Sequence, residues 1–253
     1  MQVTAANTSS GNTYTKEFLA KTIDHTLLRS TATEAEVEQG AEIARKYNTR
    51  SFVVREYYGP LIEDLLRGSN VLPCVVCDFP DGMDSTERRA RKVAELFDER
   101  NKDVDIVSKY HLMLDNNLVA FERDIKAVVK AANNRTFKII LETDYLNDVE
   151  KIKTATDIIC KVAKELSAKN LIIKTNTGYA KNEFPNLLAV KTIKETLEKH
   201  GLYATNIEEI KDGKIGIKAS ARIKNKKDTI ALLEAGAHII GTSSGDKIIE
   251  GLN

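Results

Sequence analysis

Two lysines that close short apolar strands are the residues of this chain best suited to covalent chemistry. Leu171-Ile-Ile173 runs into Lys174 and then into Thr175-Asn-Thr-Gly178. A short apolar run that ends in turn-forming polar residues and a glycine reads as a buried parallel strand stopping at a loop. Lys174 then sits at the carboxyl end of the strand. Burying an ammonium among apolar neighbours is costly, so the amine is driven toward its neutral form, which attacks carbonyl carbon. The alternative is a lysine that snorkels to solvent. Lys214-Ile-Gly-Ile-Lys-Ala-Ser220 repeats the design, and Lys218 follows Lys174 by 44 residues, enough for one helix and a return strand. Two lysines at the ends of neighbouring strands face each other across one pocket. Each raises the cost of protonating the other, which activates one amine for Schiff-base formation.

Other polar residues fall at the same strand ends: Asp24, Thr26, Asp105, Lys109, Glu142 and Ser220. Asp105 is an acid inside the otherwise apolar run Val104 to Val107. It reads either as a counter-ion for the lysines or as a group that relays protons between them. Gly241-Thr-Ser-Ser-Gly245 is a small-residue loop before a helix, an arrangement that suits a phosphate as well as it suits a plain tight turn. The histidines, at 25, 111, 200 and 238, lack metal-ligand spacing and read as structural. Cys74-Val-Val-Cys77 matches CxxC in letters only. It lies in an apolar run with no second pair, and in a strand its two thiols point to opposite faces.

The elements that must position these groups alternate. Thr15 to Thr22 reads as a short helix laid before the first strand. Strands are expected at Thr22–Leu28, Ser51–Val54, Val71–Cys77, Asp103–Val107, Phe137–Leu141, Leu171–Lys174, Lys214–Ser220 and Gly236–Ile240. Helices are expected between them: one capped by Thr33 and ending near Tyr47-Asn48, then Pro60–Arg67, Ser85 to about Asn101, Phe121–Ala132, Asp148–Ser167, Pro185–His200 and Lys226–Ala235. Gly201 to Gly213 reads as a longer polar connection. Eight strands, each followed by a helix or helical turn, predict a single (β/α)8 domain, the TIM barrel, over residues 15–253. An open doubly wound sheet is the structural alternative. Residues 1–14, polar and small, are expected to be a disordered lead-in and show no signal-peptide pattern.

The chain has 253 residues, with 38 Lys+Arg against 37 Asp+Glu for a net charge of +1. That balance argues against whole-surface attraction to nucleic acid or to an anionic membrane. No apolar run approaches the roughly 18 residues of a spanning helix. Three cysteines in a chain of this length point to a reducing, cytoplasmic compartment.

Taken together, the segments Ile23-Asp-His-Thr26, Cys77-Asp-Phe-Pro-Asp-Gly82, Asp103-Val-Asp-Ile-Val107, Ile139-Ile-Leu-Glu-Thr143, Ile173-Lys-Thr-Asn-Thr-Gly178, Gly216-Ile-Lys-Ala-Ser220 and Gly241-Thr-Ser-Ser244 resemble, in the same order, the deoxyribose-phosphate aldolase family. The resemblance covers the chain from about Lys21 to Gly251. It implies a class I aldolase that reversibly cleaves 2-deoxy-D-ribose 5-phosphate to D-glyceraldehyde 3-phosphate and acetaldehyde, with no metal and no cofactor. It implies Lys174 as the Schiff-base lysine, Lys218 as the second lysine and Asp105 as the proton-relay acid. Substrate binding is expected from Asp24, Thr26, Thr177, Gly178, Ala221, Arg222, Gly241, Ser243 and Ser244. The expected partner is a small-molecule sugar phosphate, with a homodimer as the assembly to test. The chain departs from the family pattern at Ala221-Arg222, where two glycines are usual, and at Asn176, Lys109 and Ser51-Phe-Val-Val-Arg55-Glu56. These departures keep two alternatives open: a related Schiff-base aldolase with another aldehyde or phosphate substrate, or an inactive sugar-phosphate-binding barrel.

Overall fold

A computed structural model describes residues 14–98 and 102–252. Eight parallel strands close into a barrel in sequence order: β1 (Ile23–Leu27), β2 (Ser51–Arg55), β3 (Leu72–Cys77), β4 (Asp103–Val107), β5 (Thr136–Ile140), β6 (Leu171–Lys174), β7 (Gly216–Ser220) and β8 (Ile239–Thr242). β8 returns to β1 with Gly241 beside Asp24, so there is no open edge, and the doubly wound alternative is ruled out. The helices are α1 (Lys16–Thr22), α2 (Glu34–Tyr47), α3 (Gly59–Leu66), α4 (Thr86–Asp98), α5 (Tyr110–Leu114), α6 (Leu118–Ala132), α7 (Thr143–Leu146), α8 (Val149–Leu166), α9 (Asn186–Lys199), α10 (Lys226–Glu234) and α11 (Gly245–Glu250). The expected lead-in up to residue 13 and the reach of α4 to Asn101 lie outside the described residues.

Local chemistry sets the boundaries. Thr33 caps α2 in a capping box with Glu36, and the chain leaves that helix through Asn48 in the left-handed region. Gly40 lets α2 approach β2: a Cβ there would sit 2.5 Å from Phe52 Cζ. The outward strand residues Phe52, Val54, Val75, Val104 and Ile106 are buried against the helices. The last strand begins three residues later than expected. Gly236 and Ala237 donate back to Leu233 and Leu232 and end α10, with Gly236 at φ +117°, so the ladder with β7 starts only when His238 donates to Ile217 O. Two short helices, α5 and α7, occupy connections to which the sequence patterns assign no element. The polar connection before β7 holds a 3-10 helix over Ile207–Asp212, capped by Asn206. Among the described residues no helix is long and apolar enough to cross a membrane.

Candidate active site

The barrel interior holds a charged cluster beside the apolar group Leu28, Val53, Cys74 and Val76. Strand alternation turns Asp24, Cys74, Asp103, Asp105, Lys138 and Lys218 toward the axis, with Lys174 above them. Lys174 and Lys218 are register partners on β6 and β7, and Asp105 and Lys138 are register partners on β4 and β5. Gly241 on β8 contributes space instead of a side chain, since a Cβ there would meet Lys218 Cε at 2.9 Å.

The contacts form one network. Lys174 Nζ donates to Asp105 Oδ2 at 2.9 Å, and Lys218 Nζ donates to the same oxygen at 2.9 Å and to Asp24 Oδ2 at 2.6 Å. Lys138 Nζ lies 2.7 Å from Asp105 Oδ1, 2.9 Å from Asp103 Oδ2 and 3.7 Å from Asp24 Oδ2. Arg50 closes the bottom, 2.8 Å from Asp24 Oδ1 and 2.7 Å from Asp103 Oδ2. Cys74 Sγ is 3.4 Å from Asp105 Oδ1 and is free, as are Cys77 and Cys160. Cys77 does not share the interior pocket, as expected for positions three apart in a strand.

Counting formal charges, four cations (Arg50, Lys138, Lys174, Lys218) face three carboxylates (Asp24, Asp103, Asp105). An uncompensated buried charge is expensive, so one lysine gives up its proton. Burial lowers the Lys174 amine, and Lys218 adds to the shift while Asp105 opposes it. For Lys218 burial acts in the same direction, but Asp105 and Asp24 outweigh it and its ammonium is held. Lys138 is likewise held well above the usual lysine range by Asp103 and Asp105, against burial. Burial pushes the carboxyls of Asp105 and Asp24 up, yet the lysines, joined at Asp24 by Arg50, bring both well below the ordinary carboxylate range. Of the three lysines, Lys174 at the mouth is the one whose ammonium the cluster disfavours.

The rim above it is built from the loops after β5, β6, β7 and β8. Glu142 is buried in the left-handed region at φ +57° and accepts from Thr177 N at 3.2 Å. Burial pushes its carboxyl up to about 7, partly offset by the Thr177 bonds. Asn176 Oδ1 accepts from Thr143 Oγ1 and Asp144 N, which leaves its buried Nδ2 without a partner. Ser220 Oγ donates to Asn176 O at 2.6 Å, tying the β6 and β7 loops together. Gly178, at φ +86°, brings the β6 loop close to β7: a Cβ on it would lie 3.7 Å from Ala221 Cβ. Ala221 and Arg222 have φ +76° and +60°. Both terminal nitrogens of Arg222 bind Asp144, at 2.7 and 2.8 Å, and one reaches Phe184 O at 3.4 Å. Ser244 N donates to Thr242 Oγ1, and Ser243 is exposed at the turn into α11.

Of the residues singled out in the sequence, Lys174, Lys218, Asp105 and Asp24 share one contact network. Thr26 stands apart, its hydroxyl given to Asp24 O at 2.9 Å. Thr177, Gly178, Ala221, Arg222, Gly241, Ser243 and Ser244 are on the rim loops or, for Gly241, under them. Sequence reasoning missed Lys138, Arg50 and Asp103 as members of the cluster, and Asp144 as the partner of Arg222. A signal for Lys138 was present: it interrupts the apolar run Phe137 to Leu141 as Lys174 ends its own.

No protein-family model matches the chain. Its sequence is 35% identical over 237 residues to the deoxyribose-phosphate aldolase of Clostridium tetani (strain Massachusetts / E88), covering 92% of this chain and 98% of that one. It is 35% identical over 240 residues to the deoxyribose-phosphate aldolase of Methanothermobacter thermautotrophicus, covering 95% and 97%. Among solved structures, the deoxyribose phosphate aldolase from Aeropyrum pernix superposes with a TM-score of 0.75 at 27% identity, covering 93% of this chain and 91% of that one. An aldolase designated QR15 gives a TM-score of 0.77 at 27% identity, covering 92% and 94%.

Proposed function

The chain belongs to the deoxyribose-phosphate aldolase family and is a lyase, and from that premise we propose that Lys174 carries the reaction as a Schiff base on 2-deoxy-D-ribose 5-phosphate. The observation that supports this reading most is the charge count: four cations face three carboxylates, and the amine with the fewest carboxylate contacts, Lys174, 3% exposed at the barrel mouth, is the one whose ammonium burial disfavours.

The steps follow from that arrangement. The neutral Lys174 amine adds to the C1 aldehyde of the open-chain sugar, giving a carbinolamine. Its hydroxyl leaves as water after taking a proton passed from Lys218, and the imine carries the positive charge beside Asp105 Oδ2. The cluster therefore keeps the same total charge when the Schiff base forms. Loss of the C3 hydroxyl proton then breaks the C2–C3 bond. The electrons of that bond flow into the cationic imine, releasing glyceraldehyde 3-phosphate and leaving an enamine on Lys174. Protonation at C2 and hydrolysis release acetaldehyde and restore the amine. Asp105 and Lys218 are the relay, and Asp24 holds Lys218 in place.

The phosphate lies at the rim, between Gly178, the Ala221-Arg222 turn and the Gly241–Ser244 segment. Arg222 contributes N–H groups not used on Asp144 or Phe184, from a side chain 34% exposed. Thr177 and Thr26 border the sugar, while Asp24, buried beneath Lys218, acts through that lysine. The three free, buried cysteines support a cytoplasmic enzyme. The direct test treats the protein with acetaldehyde and borohydride and maps the adduct, alongside a turnover assay coupled to glyceraldehyde 3-phosphate formation. A two-carbon adduct at Lys174 with turnover is the expected result. An adduct confined to Lys218, or none, overturns the assignment.

A further inference from the structure

Arg50 stands just before β2, at the opposite end of the barrel from the Lys174 mouth, with a side chain 12% exposed. Among the described residues its guanidinium pairs with Asp24 and Asp103, below the rim. Its guanidinium is joined to Lys174 by two chains of contacts, one through Asp24, Lys218 and Asp105, the other through Asp103, Lys138 and Asp105. We propose that Arg50 is a positioning residue: its permanent charge, relayed through Asp24 and Asp103, keeps the Lys174 amine neutral and so sets the lower pH limit of Schiff-base formation. This rests on the reading of Lys174 as the nucleophile.

The argument is electroneutrality in a closed interior. Arginine does not deprotonate, so Arg50 always occupies one of the cluster's three negative charges. Three lysines then compete for the two that remain. Among the described residues, Lys138 lies within 4 Å of three carboxylates and Lys218 touches two, whereas Lys174 touches one, Asp105. The proton is therefore lost from Lys174. Without Arg50, three lysines and three carboxylates balance, and Lys174 keeps its proton.

The other groups that face Lys174 leave this conclusion intact. Cys74 on β3 is a neutral thiol, because burial and Asp105 push it far up. Glu142, beyond β5, ionises near pH 7 and favours a protonated Lys174 in every variant alike. Asp103 and Asp105 are two residues apart on β4, about 7 Å along a strand, which places the Arg50 charge on the order of 10 Å from the Lys174 amine. At an effective dielectric of about 20, one charge at that separation moves a titration by about one pH unit.

The test reads the Lys174 amine itself, by competitive acetylation with acetic anhydride across pH and mass spectrometry of the Lys174 peptide. Arg50→Gln should raise the labelling midpoint by about one pH unit, and the acid limb of turnover should rise with it. Arg50→Lys should restore the wild-type midpoint. Asp103→Asn removes a carboxylate from the same cluster and should lower the midpoint, and Arg50→Gln/Asp103→Asn should return it close to wild type. If Arg50→Gln does not fold, the Asp103→Asn variant and the double variant carry the test. An unmoved midpoint in folded Arg50→Gln, a loss of turnover uniform across pH, or an upward shift in Asp103→Asn overturns the proposal. Shifted labelling in a protein that turns over no sugar would overturn the aldolase reading and leave the role of Arg50 standing.

Discussion

One oxygen of Asp105, Oδ2, lies 2.9 Å from Lys174 Nζ and 2.9 Å from Lys218 Nζ, so a single acceptor joins the amine that burial lowers to the one held as an ammonium. A proton moving between the two nitrogens has one atom to cross. Asp105 Oδ1 is meanwhile fixed by Lys138 at 2.7 Å, which holds the carboxylate plane. In the proposed reaction the counter-ion of these lysines is also their relay.

Replacing Asp105 by Asn should remove both parts of that role. Turnover should fall by roughly 10²-fold or more at temperatures where the variant is folded. Three buried lysines would lose a shared anion, and breaking buried pairs costs about 3–5 kcal/mol, seen as a lower urea midpoint. A folded Asp105→Asn enzyme of near-normal turnover would refute the relay.

Lys138→Met tests the residue that reasoning from sequence passed over. The methionine fills similar volume but removes the cation that bridges Asp103 and Asp105 in a fully buried site. The expected loss is about 3–5 kcal/mol in urea unfolding. A loss under about 1 kcal/mol would mean that Arg50 and Lys218 suffice.

Lys174, Lys218 and Asp105 were legible because each breaks an apolar strand where a charge has no cheap solution, and the strand spacing places them at one mouth. Lys138 breaks its strand in the same way, but nothing in one strand says which acid lies opposite. The barrel register supplies Asp105. Arg50 and Asp103 sit at strand entrances, where charged residues ordinarily meet solvent, so their burial appears only once the barrel is closed. The pairing of Arg222 with Asp144 spans 78 residues between two loops, and loop conformation carries no periodic signal. Gly236 misplaced the start of β8 because its left-handed turn looks, in letters alone, like the first residue of the apolar run that follows.

Glu142 should make stability depend on pH. Its carboxyl is raised from 4.5 to about 7, chiefly by burial, so the folded state holds a proton that the unfolded chain has released. Stability attributable to this group is intact below about pH 4.5, falls as pH rises toward 7, and stays low above it, a change on the order of 3 kcal/mol. Glu142→Gln keeps an acceptor for Thr177 N and cannot ionise. The stability difference between variant and wild type should therefore grow in favour of the variant from pH 5 to pH 8, read from urea midpoints. A difference that does not change with pH would mean that Glu142 is ionised throughout this range.

Arg222 and Asp144 allow loop support to be separated from phosphate contact. Asp144 is fully buried and accepts both terminal nitrogens of Arg222 as well as Phe184 N. Arg222→Gly strands that carboxylate, at a cost of about 3–5 kcal/mol. Glycine at φ +60° returns about 1 kcal/mol, because no Cβ is forced into the left-handed region. The net loss should be about 2–4 kcal/mol. Adding Asp144→Asn removes the stranded charge and keeps an acceptor for Phe184 N, so the double variant should recover most of that stability, and the cycle should report a coupling of about 2 kcal/mol or more. Kinetics then divide the roles. If Arg222 also donates to the substrate phosphate, its loss removes a hydrogen bond to a charged group, about 1.5–3 kcal/mol. KM for 2-deoxy-D-ribose 5-phosphate should rise roughly 10- to 150-fold in both the single and the double variant, while unphosphorylated deoxyribose is turned over as before. Recovery of KM together with stability in the double variant would make the pair a strut for the β7 loop, with the phosphate held by backbone N–H groups alone. A lower KM for the phosphorylated sugar in Arg222→Gly would mean that the arginine obstructs the phosphate, and that the natural substrate of this barrel carries its anion elsewhere.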